Sequence, residues 1–162
     1  MQNAKDTFYI TLRNRLATVN PARTMTLRGV LRPGILVEEA EPAAAQLPTD
    51  VFVLRWTKFA VDGQLPSILT NLTCEIHYAT AGTQENAGLD RGRSLEEMDN
   101  ELLQMLWPAY TPKMNYTQTP AVEMGTNIFW SQATFAPETT ARERVGRIAT
   151  VKVFAFQEQG KQ

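Results

Sequence analysis

The stretch "TNLTCEIHYAT", residues 70–80, alternates between polar and apolar side chains. Its apolar positions are Leu72, Cys74, Ile76 and Tyr78. The polar residues between them are Thr73, Glu75 and His77. Successive side chains of a strand point to opposite faces of the sheet. The pattern therefore predicts a strand with one buried face and one face that is wet or paired.

Other strands are predicted on both sides of this one in the chain. Residues 51–61, "VFVLRWTKFAV", are rich in β-branched and aromatic residues and are apolar on both faces at their start, which is typical of a strand near the middle of a sheet. Residues 25–41 predict two short extended pieces, broken by the turn signature at residues 32–34. Residues 126–136 and 147–157 predict two adjacent antiparallel strands.

The first helix is predicted near the N-terminus. Between residues 4 and 19, apolar side chains recur at spacings of four, four and three, which is one stripe of an amphipathic helix. Asn3 is the expected N-cap of this helix, and Pro21 is expected to end it.

The second helix is predicted to begin at Ser94. Ser94 and Glu97 match a capping box, in which a hydroxyl and a carboxylate bond free backbone N–H groups at a helix start. Apolar residues then recur at helical spacing until Trp107 and Pro108 stop the run. A loop containing Pro112 and Pro120 is expected to follow.

The order of these elements is helix, strand pieces, strand, strand, helix, strand, strand. Neighbouring strands without intervening helices favour an antiparallel sheet. We therefore predict an α+β fold with a mainly antiparallel sheet of four to five strands and two helices packed on one face. The length of 162 residues predicts a single domain spanning residues 1–162.

Composition argues against several classes of partner. The formal net charge of −1 provides no field that attracts nucleic acid or an anionic membrane, so we expect neither membrane association nor direct nucleic-acid binding. No run approaches the roughly 20 apolar residues that cross a bilayer, and the N-terminus lacks the apolar core of a signal peptide. A soluble, unexported protein is expected.

The sequence offers few groups for catalysis or metal binding. His77 is the only histidine and Cys74 the only cysteine, and their odd spacing along a strand places them on opposite faces. The serine motif of hydrolases is absent. We therefore expect no catalytic residues, no metal site and no cofactor, although one sequence leaves a carboxylate pair for acid-base chemistry open.

The segment "AGTQENAGLDRGRS", residues 81–94, joins the alternating strand to the second helix. A phosphate-binding loop would need glycines at other spacings and a lysine, although Arg91 and Arg93 near the helix start could hold an anion. A plain flexible connector is the second interpretation. We favour a third, in which the segment is loose in the free protein and orders against a neighbouring subunit. Its expected interface residues are Gly82, Gly88, Asp90, Arg91, Gly92 and Arg93.

The charged run at residues 141–147 allows two interpretations. It is either a solvated hairpin that joins the last strands or a basic contact to a partner subunit. In the second interpretation the contact is made by Arg142, Arg144 and Arg147.

Taken together, these segments resemble bacteriophage tail terminator (tail completion) proteins over about residues 4–157. The resemblance lies in the N-terminal amphipathic helix, the strand "RPGILVEEAE", the alternating strand with its long loop, the helix "SLEEMDNELLQML" and the closing strand "RIATVKVFAF". It rests on the order and size of the elements and on no diagnostic motif.

The resemblance implies a structural protein that is not an enzyme. Such proteins form a homo-oligomeric ring, usually a hexamer, that caps the tail tube, ends its growth and offers a surface to head-tail connector proteins. The tail tube protein would be a further partner, and the protein would lie in the virion tail after assembly in the host cytoplasm. In such a ring, Asp90, Arg91 and Arg93 could pair across subunits. The rival hypotheses are a ligand-binding or enzymatic domain with a pocket under residues 81–94 and a nucleic-acid-binding domain.

Overall fold

The computed structural model of the chain describes residues 1–38, 47–64 and 68–157. Within these ranges the elements are, in order, α1 (Gln2–Val19), β1 (Thr24–Leu27), β2 (Val30–Pro33), β3 (Ile35–Val37), β4 (Phe52–Asp62), β5 (Leu69–Thr80), α2 (Arg91–Met105), β6 (Thr111–Asn115), β7 (Val122–Trp130), β8 (Thr134–Phe135), β9 (Thr139–Ala141) and β10 (Arg144–Phe156). The fold is α+β. The end of the extended piece predicted to reach Glu41 lies outside the described residues.

The main sheet has eight strands, ordered β3-β4-β5-β10-β7-β6, with β8 and β9 also paired to β10. β3 runs parallel to β4, so the sheet is mixed. β1 and β2 form a separate antiparallel hairpin. The predicted sheet of four to five mainly antiparallel strands is therefore wrong in its size and in its type. Strands of two or three residues such as β3, β8 and β9 are too short to show a repeating pattern in the sequence.

The strand β6 was expected to be part of a proline-containing loop. It pairs with β7 at the edge of the sheet, where the missing N–H of Pro112 is tolerated. The backbone N–H of Met114 donates to Thr7 Oγ1 at 3.0 Å, and Lys113 Nζ donates to the carbonyl oxygen of Phe156 at 2.7 Å. These contacts with α1 and β10 are between distant parts of the chain, so no local pattern could reveal them.

The alternation predicted for β5 is confirmed. Every second side chain from Thr70 to Thr80 is buried, and the ones between are half-buried. β5 pairs with β10 from Leu69↔Phe156 to Thr80↔Val145, and β7 pairs antiparallel with β10 as expected. The buried face of β5 belongs to one core cluster with both helices, which contribute Phe8, Leu12, Leu16, Leu95, Met98, Leu102 and Met105.

Both predicted helix starts are wrong. α1 begins at Gln2 with Met1 as its N-cap, so Asn3 lies inside the helix. α2 begins at Arg91 with Asp90 as its N-cap, and Ser94 lies one turn inside, where its N–H donates to the carbonyl oxygen of Asp90 at 2.9 Å. The helix therefore starts three residues before the capping box.

One edge of the sheet is only partly paired. β3 pairs with Phe52, Val53 and Leu54 alone, so within the described residues no strand borders the outer side of β4 from residue 55 to residue 62. A bulge interrupts the pairing of β4 with β5 between Trp56 and Lys58.

A buried ion pair joins α2 to the segment after α1. The guanidinium of Arg23 donates to both carboxylate oxygens of Glu101, through Nε to Oε2 and through Nη2 to Oε1 at 3.0 Å. Asn20 Nδ2 also donates to Glu101 Oε1 at 2.7 Å, and Arg23 Nη1 donates to the carbonyl oxygen of Asp50 at 3.0 Å. Glu101 is only 9% exposed, so these donors replace the hydrogen bonds with water that burial removes.

We expect Glu101→Gln to destabilise the folded chain by about 3–5 kcal/mol, because it leaves the buried Arg23 guanidinium without a counter-charge. The free energy of unfolding in urea measures the change. Glu123→Gln is the matched control, since Glu123 is exposed, and it should change stability by less than about 0.5 kcal/mol. Equal effects of the two substitutions would show that the ion pair contributes nothing to stability.

Candidate functional site

The loop at residues 81–90 is organised by the carboxylate of Asp90. Its Oδ1 accepts a hydrogen bond of 2.8 Å from the backbone N–H of Thr83, and its Oδ2 accepts one of 2.7 Å from the Thr83 hydroxyl. Asn86 Nδ2 donates to the same Oδ2 at 3.2 Å. The carboxylate therefore ties the end of the loop to its beginning.

The loop backbone closes on itself as well. The N–H groups of Ala87, Gly88 and Leu89 donate to the carbonyl oxygens of Gln84, Thr83 and Asn86 respectively, at 3.2, 3.1 and 3.0 Å. Since α2 begins at Arg91, the connector is also shorter than the predicted span of 81–94. The single chain thus gives this loop a hydrogen-bonded conformation without a neighbouring subunit.

Gly82 is needed for this closure. Its φ is +79°, and a Cβ atom there would lie 2.6 Å from Asp90 Oδ1 and 2.9 Å from the Cα of Gly88. A side chain at position 82 would displace the carboxylate that organises the loop. Gly92, by contrast, lies in α2 with open space around it.

The charges of the loop do not pair with one another within the chain. Asp90 accepts from Thr83 and Asn86 and not from an arginine, while Arg91 Nε donates to the carbonyl oxygen of Gly88 at 2.8 Å. Arg93 is exposed on α2. The pairing of Asp90, Arg91 and Arg93 across subunits stays a prediction.

A depression of about 390 Å³ lies beside the loop. Thr83, Gln84, Arg91 and Glu143 contribute to its lining, and Arg91 is already bonded to the loop backbone. Thr83, Gln84 and Glu143 are exposed to solvent. This depression is the candidate pocket for the rival hypothesis of a ligand site under the loop, and its lining consists mainly of exposed polar groups.

The charged run at residues 141–147 includes the turn of a β-hairpin between β9 and β10, whereas the hairpin interpretation joined the strands predicted at residues 126–136 and 147–157. Arg142 lies exposed at its turn with a φ of +51°. Arg144 Nη1 donates to the carbonyl oxygen of Leu47 at 2.9 Å. Arg147 donates to Asp99 Oδ1 at 3.1 Å and to the carbonyl oxygen of Ala136 at 2.7 Å. Arg144 and Arg147 thus make bonds within the chain.

Asp99 on α2 also accepts a hydrogen bond from the hydroxyl of Tyr78 on β5. Burial, followed by the contact with Asp99, raises the pKa of the Tyr78 hydroxyl above its ordinary value. Tyr78 therefore stays neutral as a donor, and it links α2 to the central strands together with Arg147.

The structure places Cys74 and His77 on opposite faces of β5. Cys74 is buried in the core, and His77 Nε2 lies 3.0 Å from Glu75 Oε1 on the other face. In residues 1–38, 47–64 and 68–157, no group of three or more His, Cys, Asp or Glu side chains could hold a metal ion. The two helices described there are not long and apolar enough to cross a membrane.

The loop carries one large apolar side chain, Leu89, which is 87% exposed. Leu89 is not among the site residues predicted from the sequence. The available signal was that Leu89 is the only large apolar residue in the polar and glycine-rich segment 81–94.

Comparison with known proteins gives no assignment, because neither a protein-family model nor a curated protein matches this chain.

The hydroxyl of Thr83, followed by its backbone N–H, holds the pKa of Asp90 at about 2, below the ordinary value of 3.8. A carboxyl whose pKa is lower in the folded than in the unfolded chain stabilises the fold above its unfolded pKa. The contribution of Asp90 to the loop is therefore complete above about pH 4 and disappears as the pH falls toward about 2.

Thr83→Val removes the hydroxyl donor and keeps the backbone N–H, so we expect it to raise the pKa of Asp90 toward 3.8. A carbon NMR titration of the Asp90 carboxyl group measures the midpoint. Thr139→Val, at an exposed position on β9, is the control and should leave the midpoint unchanged. An identical midpoint in the wild type and Thr83→Val would contradict the assigned cause.

Proposed function

We propose that this chain is a phage or prophage structural protein, similar to tail terminators, that forms a ring on the end of the tail tube. The ring ends tube growth and provides the surface that head-tail connector proteins join. Its partners are other copies of itself, six in the usual ring, and the tail tube protein. It assembles in the bacterial host cytoplasm and remains in the virion tail.

One observation carries the proposal, namely Leu89 on a loop that is already hydrogen-bonded. Removing a leucine side chain from water contributes about 1.5–3 kcal/mol. A loop held by Asp90 loses little conformational freedom when it docks, so most of that gain is available for association. An exposed leucine on an ordered loop therefore supports self-association.

The order of the elements supports the same proposal. The loop lies between β5 and α2, which is where the resembling family is expected to place either subunit contacts or the tube-facing side. Glycines at positions 82 and 88 allow the tight loop, and Asp90 fixes it. Arg93 and the exposed Arg142 of the neighbouring hairpin offer charges that a second copy could pair.

We expect Leu89→Glu to weaken ring formation at least tenfold, because burial of about 1.5–3 kcal/mol is lost and a charge is placed in the contact. Sedimentation velocity over a range of protein concentrations measures the effect. Leu31→Glu is the matched control, since Leu31 is a 68% exposed leucine on the separate β1-β2 hairpin. It should assemble like the wild type.

The proposal fails if the wild-type protein stays monomeric at high micromolar concentration and also does not bind isolated tail tubes. A large thermal stabilisation by a nucleotide, a sugar phosphate or a metal ion would instead favour the ligand-binding rival, because a ligand that binds only the folded state raises its stability.

A further inference from the structure

We infer that the ring contact is a head-to-tail one, in which the outward face of α2 of one copy packs on the uncovered face of the sheet of the next copy. The inference rests on the proposed function and assigns its two contact surfaces. Both surfaces lie on described residues, and within residues 1–38, 47–64 and 68–157 no element covers either of them.

The two helices cover only one face of the main sheet. The core cluster takes Leu72, Cys74, Ile76 and Tyr78 from β5 and both helices. On the opposite face, the hairpin of β1 and β2 covers the end near Val53, together with Leu36 and Val51. None of the described elements forms a second layer over the middle of that opposite face, although a sheet normally buries its apolar side chains against another element.

Two lysines define the middle of this uncovered face. Lys58 on β4 lies opposite Thr73 on β5, and Thr73 lies opposite Lys152 on β10. The Cα atoms of the two lysines are therefore about 10 Å apart, in one row across three strands. Both are exposed, and neither side chain has a hydrogen-bond or ion-pair partner among the described residues.

An aromatic cluster lies beside this row. Phe154 and Phe129 stack with ring centroids 5.1 Å apart at 15°, and Tyr110 lies 5.3 Å from Phe129. Tyr110 is 75% exposed. Asn71 pairs with Phe154 in the next row.

The outward face of α2 has the complementary composition. Glu96 and Glu97 are exposed and have no ion-pair partner within the described ranges. Leu103, two turns further along, is 52% exposed, and the amides of Asn100 and Gln104 beside it are also exposed. The carboxylates of this face match the ammonium groups of the sheet, and Leu103 matches the aromatic cluster.

The positions of the two surfaces require a head-to-tail arrangement. α2 lies on the helix-covered side of the sheet and its outward face points away from it, so the two surfaces lie on opposite sides of the subunit. A contact between two different surfaces repeats from copy to copy and closes into a ring when the rotation permits. Leu89 lies just before α2, so its contact would continue the surface of that helix.

A second copy fits the uncovered face better than nucleic acid does. Asp62 and Glu75 also lie on this face, and Glu75 contacts His77. The chain as a whole has a net charge of −1. Two lysines between carboxylates suit a surface with a few matched acids, whereas binding to a phosphate backbone needs an excess of cations.

The test exchanges the charges of the two surfaces. One variant carries Glu96→Lys and Glu97→Lys, and the other carries Lys58→Glu and Lys152→Glu. Each variant alone sets like charges against each other, so we expect each to stay monomeric at concentrations about tenfold above those at which the wild type assembles. An equimolar mixture restores both pairings in an alternating ring, and the quadruple variant restores them in every copy.

Circular dichroism and thermal unfolding check that each variant folds. A variant with Glu123→Lys and Glu138→Lys is the control for net charge, since both residues are exposed and lie outside the two surfaces. Loss of ring formation in each variant, together with its recovery in the equimolar mixture, supports the contact. If both variants still form rings at the concentrations at which the wild type does, the inferred contact is wrong, while the proposed function stands. A wild type that is monomeric both in solution and with isolated tubes overturns both. Binding of labelled oligothymidylate that is lost with Lys58→Glu and Lys152→Glu would reassign the face to single-stranded nucleic acid.

Discussion

The pairing of β5 with β10 is the constraint on which the rest of the structure depends. The two strands run side by side from Leu69↔Phe156 to Thr80↔Val145, although they are far apart in the chain. Because their side chains alternate between two faces, this single register decides which residues form the core. A shift by one position would move Cys74 and Ile76 out of the core and His77 into it. β4, β7, β8 and β9 all attach to one of these two strands.

Polar contacts hold the helices and loops on this sheet at defined places. Arg23 and Glu101 connect the segment after α1 to α2, and Arg147 and Tyr78 connect α2 to the central strands through Asp99. At the other end of α2, Arg15 donates to the carbonyl oxygens of Met105 and Trp107 at 2.8 and 2.9 Å. The last carbonyl groups of a helix have no donor within the helix, so Arg15 on α1 supplies hydrogen bonds at the end of α2. α2 is thus fixed along its whole length, and its outward side is presented in one orientation.

Local patterns predicted the parts of the fold that depend on local periodicity. The alternation of β5, the apolar stripes of both helices and the antiparallel pairing of β7 with β10 could be read from the sequence. Helix starts could not, because α2 begins three residues before the capping box at Ser94, directly after Asp90, whose carboxylate accepts hydrogen bonds from Thr83 and Asn86 in the loop. Strand β6 depends on contacts of Met114 and Lys113 with distant elements, which leave no local signal. The hairpin turn at Arg28 and Gly29 was missed for another reason, since it lies inside a segment that was interpreted as extended.

The candidate site was only partly predictable for the same reason. Its glycines and Asp90 were identified from the loop sequence, but the donors to Asp90 were not. Arg144 and Arg147 were identified by charge alone, and their partners Leu47, Asp99 and Ala136 come from other elements. Which face of the sheet the described elements leave uncovered also follows from tertiary packing, so neither Lys152 nor the stacked rings of Phe129 and Phe154 could be singled out beforehand.

Within the described residues the outer border of β4 is only half paired, and this border would limit how two copies of the chain could meet. Free N–H and C=O groups along an exposed border invite the strand of another molecule, and unchecked addition of this kind leads to aggregates without a fixed number of members. The bulge between Trp56 and Lys58 breaks the regular spacing of those groups, and the lysine charge opposes close approach by a similar border. Growth by strand addition is therefore disfavoured at this border, which leaves side-chain surfaces, with their fixed geometry, to set the size of an assembly.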